Sequence, residues 1–217
     1  MVKDYQIDAD FHLKKIRHTY KKIYEFAIPF LQTRQNEIHT YIVYQYALLL
    51  LEDEPGIPEI VIPAAILHDV GWSCVPEEEQ LTAFGPVVRN KKLQRRHEAE
   101  GATIAMEILN SVDYDPQLSQ KIVGIIDGHD TTNKARSVDD AITKDADKLW
   151  RFSGIGFHVD YQRFTKEQMS YLKFLLEKVD EWFLTNTGRK MARYEASMRE
   201  KEVYKNDCEA FSQITLE

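Results

Sequence analysis

Apolar residues recur at the three- and four-residue spacing of helix faces through almost all of this 217-residue chain. That pattern predicts an all-α fold. Only 9 Gly and 7 Pro occur, fewer than a sandwich of short strands and tight turns needs. The periodicity places a Lys-rich helix over 10–32 and a second from about Asn36 to the turn Asp53-Glu54-Pro55-Gly56. Residues 58–70 are ambiguous: Ile60 to Ile62 suit a strand, but Pro63 forbids a central one and Ala64 to Leu67 suit a buried helix. A loop is expected from 72 to about 93, with a short helix at Glu77–Leu81, followed by helices over 94–111, 116–129 and 138–152. Two long amphipathic helices, 165–186 and 189–206, are separated at Asn186-Thr187-Gly188. No repeat, low-complexity segment or Gly/Ser-rich linker divides the chain, so residues 1–217 are expected to form one helical bundle.

Composition excludes several functions. The net charge of −7 argues against binding a nucleic acid polymer, which rests on neutralising phosphates with Lys and Arg. A small anion in a local cationic pocket remains compatible with it. The longest apolar stretch, Tyr41 to Leu51, is too short to cross a bilayer, and the opening MVKDYQIDADFHLKK lacks the apolar core of a secretory signal. The two cysteines, Cys74 and Cys208, give no disulfide framework. A cytoplasmic protein without a membrane partner is expected.

The seven histidines are unevenly placed. His39 shares a face with Val43, Tyr46 and Leu50, and His68 sits over Val61, Ala64 and Ala65. His97 is followed by Gly101, Ile104 and Ile108, and His129 is preceded by Ile122, Ile125 and Ile126. These spacings point all four imidazoles inward. His18 lies among lysines and is expected in solvent; His12 and His158 have mixed neighbours. One histidine on an apolar face is commonly a core residue bonded to a carbonyl. Four on four helices each need a partner, at a cost of about 1–3 kcal/mol if left without one, and a shared metal centre satisfies all of them. His-Asp occurs twice, at His68-Asp69 and His129-Asp130, but only the first ends a buried run and is followed by Val70-Gly71. Asp145 and Asp147 lie near an inner face with Ile142, Ala146, Leu149 and Trp150.

The ordered set is His39, eight residues before ALLLL, then His68-Asp69, His97, His129 and Asp147 within PAAILHDVGW, RRHEAEGATIA, KIVGIIDGHD and KDADKLWRF. In that order it resembles the HD-domain superfamily of metal-dependent phosphohydrolases, over about residues 36–155. The resemblance implies an HD-type helical bundle with flanking helices at 10–32 and 165–206. It implies that His39, His68, Asp69 and Asp147 hold a divalent ion, with Asp145 competing for the last place. It also implies that His97 and His129 hold a second ion, with Asp69 bridging the pair or orienting water. The doubled histidine of the members that act on cyclic dinucleotides is absent, because Gly128 and Asp130 flank His129.

The expected activity is hydrolysis of a small phosphate ester, a nucleotide among the candidates, by metal-activated water, with Asp69 as the catalytic carboxylate. The cofactor is one or two divalent ions from Mn, Zn, Ni, Mg and Fe, which these ligands suit alike. Four neutral imidazoles and two carboxylates carry two negative charges, so two such ions leave the site positive and suited to a phosphate. Arg96 or Lys148 is the cation expected to reach the substrate. The same ligand order resembles the diiron oxygenases of this fold, which act on phosphonates or polyols, and that is the alternative. No residue stands out as the general acid.

Overall fold

Helix capping, proline placement and side chains that reach across the bundle set the element boundaries. The computed structural model describes residues 5, 7, 13–34, 36–85 and 87–214, with side chains to 205. Its α-helices are α1 (His18–Ala27), α2 (Asn36–Leu50), α3 (Pro58–Leu67), α4 (Glu77–Gln80), α5 (Lys91–Ser111), α6 (Pro116–Ile126), α7 (Val138–Leu149), α8 (Gly154–Arg163), α9 (Gln168–Trp182) and α10 (Asn186–Ile214). No strand occurs among the described residues. None of their helices is long and apolar enough to cross a membrane. Cys74 is a free thiol, and the Cys208 side chain lies outside the described ones.

The ambiguous segment 58–70 is helical, and α3 is the centre of the bundle. Ile60 to Leu67 are fully buried on every side, beneath α1, α2, α6 and α7. Pro63 inside α3 has no N–H to give the carbonyl of Glu59, four residues earlier. The Tyr114 hydroxyl donates to that carbonyl instead, at 2.6 Å. A proline is thus tolerated mid-helix because a neighbour supplies the missing donor.

Several boundaries differ from expectation. The segment 10–32 is not one helix: two 3₁₀ turns, Leu13–Lys15 and Ile28–Phe30, flank α1, and residues 10–12 lie outside the described ones. α6 stops at Ile126, short of 129, because Gly128 adopts φ +118° and turns the chain. α8 was not expected. It starts where the Ser153 hydroxyl accepts from Gly156 N at 3.0 Å, and it buries Phe157 and Asp160. Asn186-Thr187-Gly188 opens α10 instead of separating helices. The break falls at 183–185, where the Asp145 carboxylate accepts from Leu184 N and Thr185 N, both at 2.8 Å, and from the Thr185 hydroxyl at 2.7 Å. Along α9 and just past its end, Tyr171, Leu175, Val179 and Phe183 are buried in the core.

Candidate metal centre

Five elements deliver the side chains. His39 stands in the first turns of α2, His68 at the end of α3, His97 on α5, His129 just past α6, and Asp147 on α7. Beyond His68, Val70–Cys74 forms a 3₁₀ turn that carries Trp72. Gly71 in that turn lies so close to α5 that a Cβ there would sit 2.5 Å from Gly101 N, and the His97 carbonyl would be closer still.

The six residues expected from the sequence come together. His39 and His68 face one another Nε2 to Nε2 at 3.0 Å, and His97 and His129 do so at 3.4 Å. Asp147 Oδ1 lies 3.3 Å from His39 Nε2 and 3.5 Å from His68 Nε2. Asp69 stands between the two histidine pairs, 3.4 Å from His39, 3.7 Å from His68 and 3.6 Å from His129. Three overlapping groups could each hold a metal ion: His39, His68 and Asp147; His68, Asp69 and His129; His97, His129 and Asp130. Asp145 is not among them, since its carboxylate is fully buried at the joint between α9 and α10. Asp147 therefore lies at the cluster and Asp145 does not. His18 is exposed, the His158 ring bonds its own helix at Gly154 O, and His12 lies outside the described residues.

The donor chemistry fits a divalent ion. His68 Nδ1 donates to Ala65 O at 2.8 Å and His129 Nδ1 to Ile126 O at 2.9 Å. Each bond fixes the ring and the tautomer, leaving the Nε2 lone pair for a cation. His97 has no such partner, and its buried Nδ1 is unsatisfied. Its ring instead stacks on Trp72, centroids 3.9 Å apart and planes 9° from parallel. The Trp72 indole donates to Asp69 Oδ1 at 3.0 Å, so one side chain steadies both a histidine and the central carboxylate.

Residues 36–151 match the family model of the HD domain. The chain belongs to the HD domain family. The fold is similar to a crystal structure of a predicted HD superfamily hydrolase from an uncultured Thermotogales bacterium. The two are 21% identical, with a TM-score of 0.61 over 92% of this chain and 99% of that one. No curated protein matches the chain.

Within this HD domain the ionisable groups divide sharply. Burial alone would raise the Asp69 carboxyl, but the imidazoles of His68, His129 and His39 hold it well below the usual range. Asp147 is held down in the same way by His39 and His68. Burial pushes His97 down to about 4, whereas Asp69 and Asp130 outweigh burial at His129 and push it up to about 10. At pH 7 the metal-free protein therefore holds His129 as the imidazolium and His97 as the neutral ring. Cation uptake must displace one proton of that imidazolium. Calorimetric titration of stripped protein with Mn²⁺, in buffers of different ionisation enthalpy, should show net proton release. Apparent affinity should rise as pH rises towards about 10, because fewer protons compete. Uptake without proton release would contradict the ligand assignment.

Above the cluster opens a cavity of about 50 Å³, walled by His39, Asp69 and Asp147 on one side and by Arg34, Arg151 and Arg163 on the other. Arg34 occupies the turn before α2 at φ +51°. Its guanidinium lies 4.7 Å from the Trp72 ring and 4.2 Å from the Phe84 ring. Among the described residues no carboxylate lies within 4.0 Å of it, and its buried Nε has no partner. Burial lowers its pKa to about 10. Arg151 and Arg163 share Asp160, at 2.7 and 3.2 Å. A second cavity of about 180 Å³ adjoins the first through Asp130, Asp147 and Arg151, and adds Lys148 and Trp182. Lys148 is thus at the site. Arg96 is not; it lines a separate surface cleft with Cys74 and Gln80. Arg34 and Arg163 carry no motif or periodicity that sequence reading could have used.

Proposed function

We propose that this HD domain is a metal-dependent phosphohydrolase acting on a small phosphate ester, with nucleotides as the first class to test. His39, His68, Asp69, His97, His129 and Asp147 would hold one or two divalent ions, from Mn, Zn, Ni, Mg and Fe. A divalent ion held there supplies Lewis-acid charge to phosphoryl oxygens and brings the pKa of water towards neutrality. The observation that carries the reading is Arg34: a largely desolvated guanidinium with no carboxylate within 4.0 Å among the described residues, sharing a small cavity with the donor cluster. A half-buried cation of that kind is stabilised by an anion, and its planar fork suits phosphoryl oxygens. The adjoining cavity of about 180 Å³ has room for the alcohol portion of the ester.

Each residue has a task. Asp69 orients the attacking water or bridges the ligand sets, held in place by Trp72. Arg34 neutralises the phosphoryl group, while Arg151 and Arg163, already braced by Asp160, keep the wall positive. A positive wall favours an anionic substrate over a neutral polyol, the class that one oxygenase alternative needs.

The test begins with metal content on protein purified without chelator, followed by phosphate release from a panel of phosphomonoesters including nucleoside monophosphates. Release that chelator abolishes and added metal restores is expected. Two irons per chain, with oxygen consumption on a phosphonate or polyol and no phosphate release, would overturn the proposal in favour of the oxygenase. Arg34→Ala should lower kcat/KM by roughly 10- to 100-fold, the loss of a charged hydrogen bond, with metal content unchanged. Arg34→Lys should recover only part, because an ammonium neither forks nor stacks as well. An unimpaired Arg34→Ala enzyme removes Arg34 from the site.

A further inference from the structure

The second His-Asp pair, His129-Asp130, looks like a chance repeat in the sequence, but its surroundings are built with care. Glu98 on α5 is fully buried. One of its oxygens accepts from Asp130 N at 2.9 Å and Thr131 N at 2.8 Å, and the other from the Thr131 hydroxyl at 2.8 Å. Arg95 donates to the same carboxylate at 3.0 Å. The backbone at 130–131 is thereby fixed to the helix that carries His97. Asp130 Oδ2 lies 3.5 Å from His97 Nε2, its side chain 29% exposed and facing the cavities. Asp147 stands 3.3 and 3.5 Å from its two histidines at 24% exposure. Each histidine pair thus has an aspartate beside it, Asp147 within 4.0 Å of both its imidazoles and Asp130 within 4.0 Å of His97, with His129 within 4.8 Å.

We infer that Asp130 is a ligand of a second divalent ion, completing a site with His97 and His129 that mirrors the site of His39, His68 and Asp147. Each ion then has two histidines and one aspartate of its own, a donor set suited to divalent transition metals. Asp69, in contact with members of both sets, lies between them. The second site does not borrow its only carboxylate from the first. Three carboxylates against two divalent ions leave the pair with a smaller positive charge than two would, so the arginines of the wall matter more for holding a phosphate.

The inference rests on the metal-dependent reading of the centre and is independent of the substrate. Chelator-stripped protein is titrated with Mn²⁺, with free ion followed by electron paramagnetic resonance. Wild type should bind two ions, with the broadened spectrum of a coupled pair. Asp130→Asn should weaken one of them by roughly ten-fold or more, leave the other unchanged and give the six-line signal of an isolated ion. His97→Ala should lose the same ion and Asp147→Asn the other one. Far-UV circular dichroism checks the fold, and Asp130→Ala is read in the same way if the Asn variant does not fold. Two ions of unchanged affinity in a folded Asp130 variant overturn the inference, as does a wild type that binds fewer than two. Absence of phosphate release with both ions bound would sink the phosphohydrolase reading and leave the Asp130 assignment standing.

Discussion

Asp69→Asn is expected to lower the affinity for both ions and to reduce phosphate release by on the order of 10²–10³-fold. The substitution keeps size and shape, and the amide oxygen can still accept from the Trp72 indole, so the fold should survive. It removes the one carboxylate that, among the described residues, lies within 4 Å of His39, His68 and His129 together. Loss of that charge acts on both ligand sets at once, which no substitution at His39 or His97 does. Plasma mass spectrometry of the purified variant, beside a phosphate-release assay, reads the two effects separately. Wild-type metal content with wild-type activity would show that the centre has been placed on the wrong residues.

Gly71→Ala is expected to be strongly destabilising for so small a substitution, costing about 3 kcal/mol or more. A methyl group there would stand 2.5 Å from Gly101 N and 2.8 Å from Gly101 Cα, with the His97 carbonyl nearer still. These are backbone atoms of a 21-residue helix and cannot rotate away. The 3₁₀ turn and α5 would have to separate, pulling Trp72 off the His97 ring and unsettling Asp69. Gly101→Ala, on the other face of the same contact, is the control. Its nearest neighbour would be 3.4 Å away, an ordinary contact, and alanine in a helix gains up to about 1 kcal/mol over glycine. Denaturant unfolding of both should show one large loss and one neutral or positive change. Equal effects would mean that the close approach at Gly71 does not control the packing.

The helical bundle and the inward faces of the four histidines were legible because both follow from periodicity, which belongs to the chain alone. The choice between Asp145 and Asp147 was not. The two acids stand two residues apart, about 200° around a helix, and what separates them is the backbone of Leu184 and Thr185. The same contact moved the break between the last two helices away from Asn186-Thr187-Gly188, a tertiary anchor overriding a local turn signal. Helix α8 was missed because Gly154 and Gly156 lower its propensity, and burial of Phe157 and Asp160 holds it. Arg34 was illegible for another reason: its importance lies in having no carboxylate within 4.0 Å among the described residues, and only a structure shows who is near. Lys144, one turn of α7 before Lys148, is structural. It is buried, bonded to Asp140, Thr132 and Lys134, and ties the loop 132–134 to α7.

Helix α7 acts as a lever with a load at each side. Asp147 faces the imidazoles, and Asp145, half a turn away, is gripped by the joint of α9 and α10. The tilt of α7, and with it the reach of Asp147, is therefore governed from a part of the chain beyond the matched residues 36–151. A fragment cut to those residues would strand a buried carboxylate without its three donors and free the lever from its fulcrum. Family resemblance marks where sequences agree; the cooperative unit that holds this centre in register extends through Thr185. Drift in the C-terminal helices can thus retune the centre without touching a ligand.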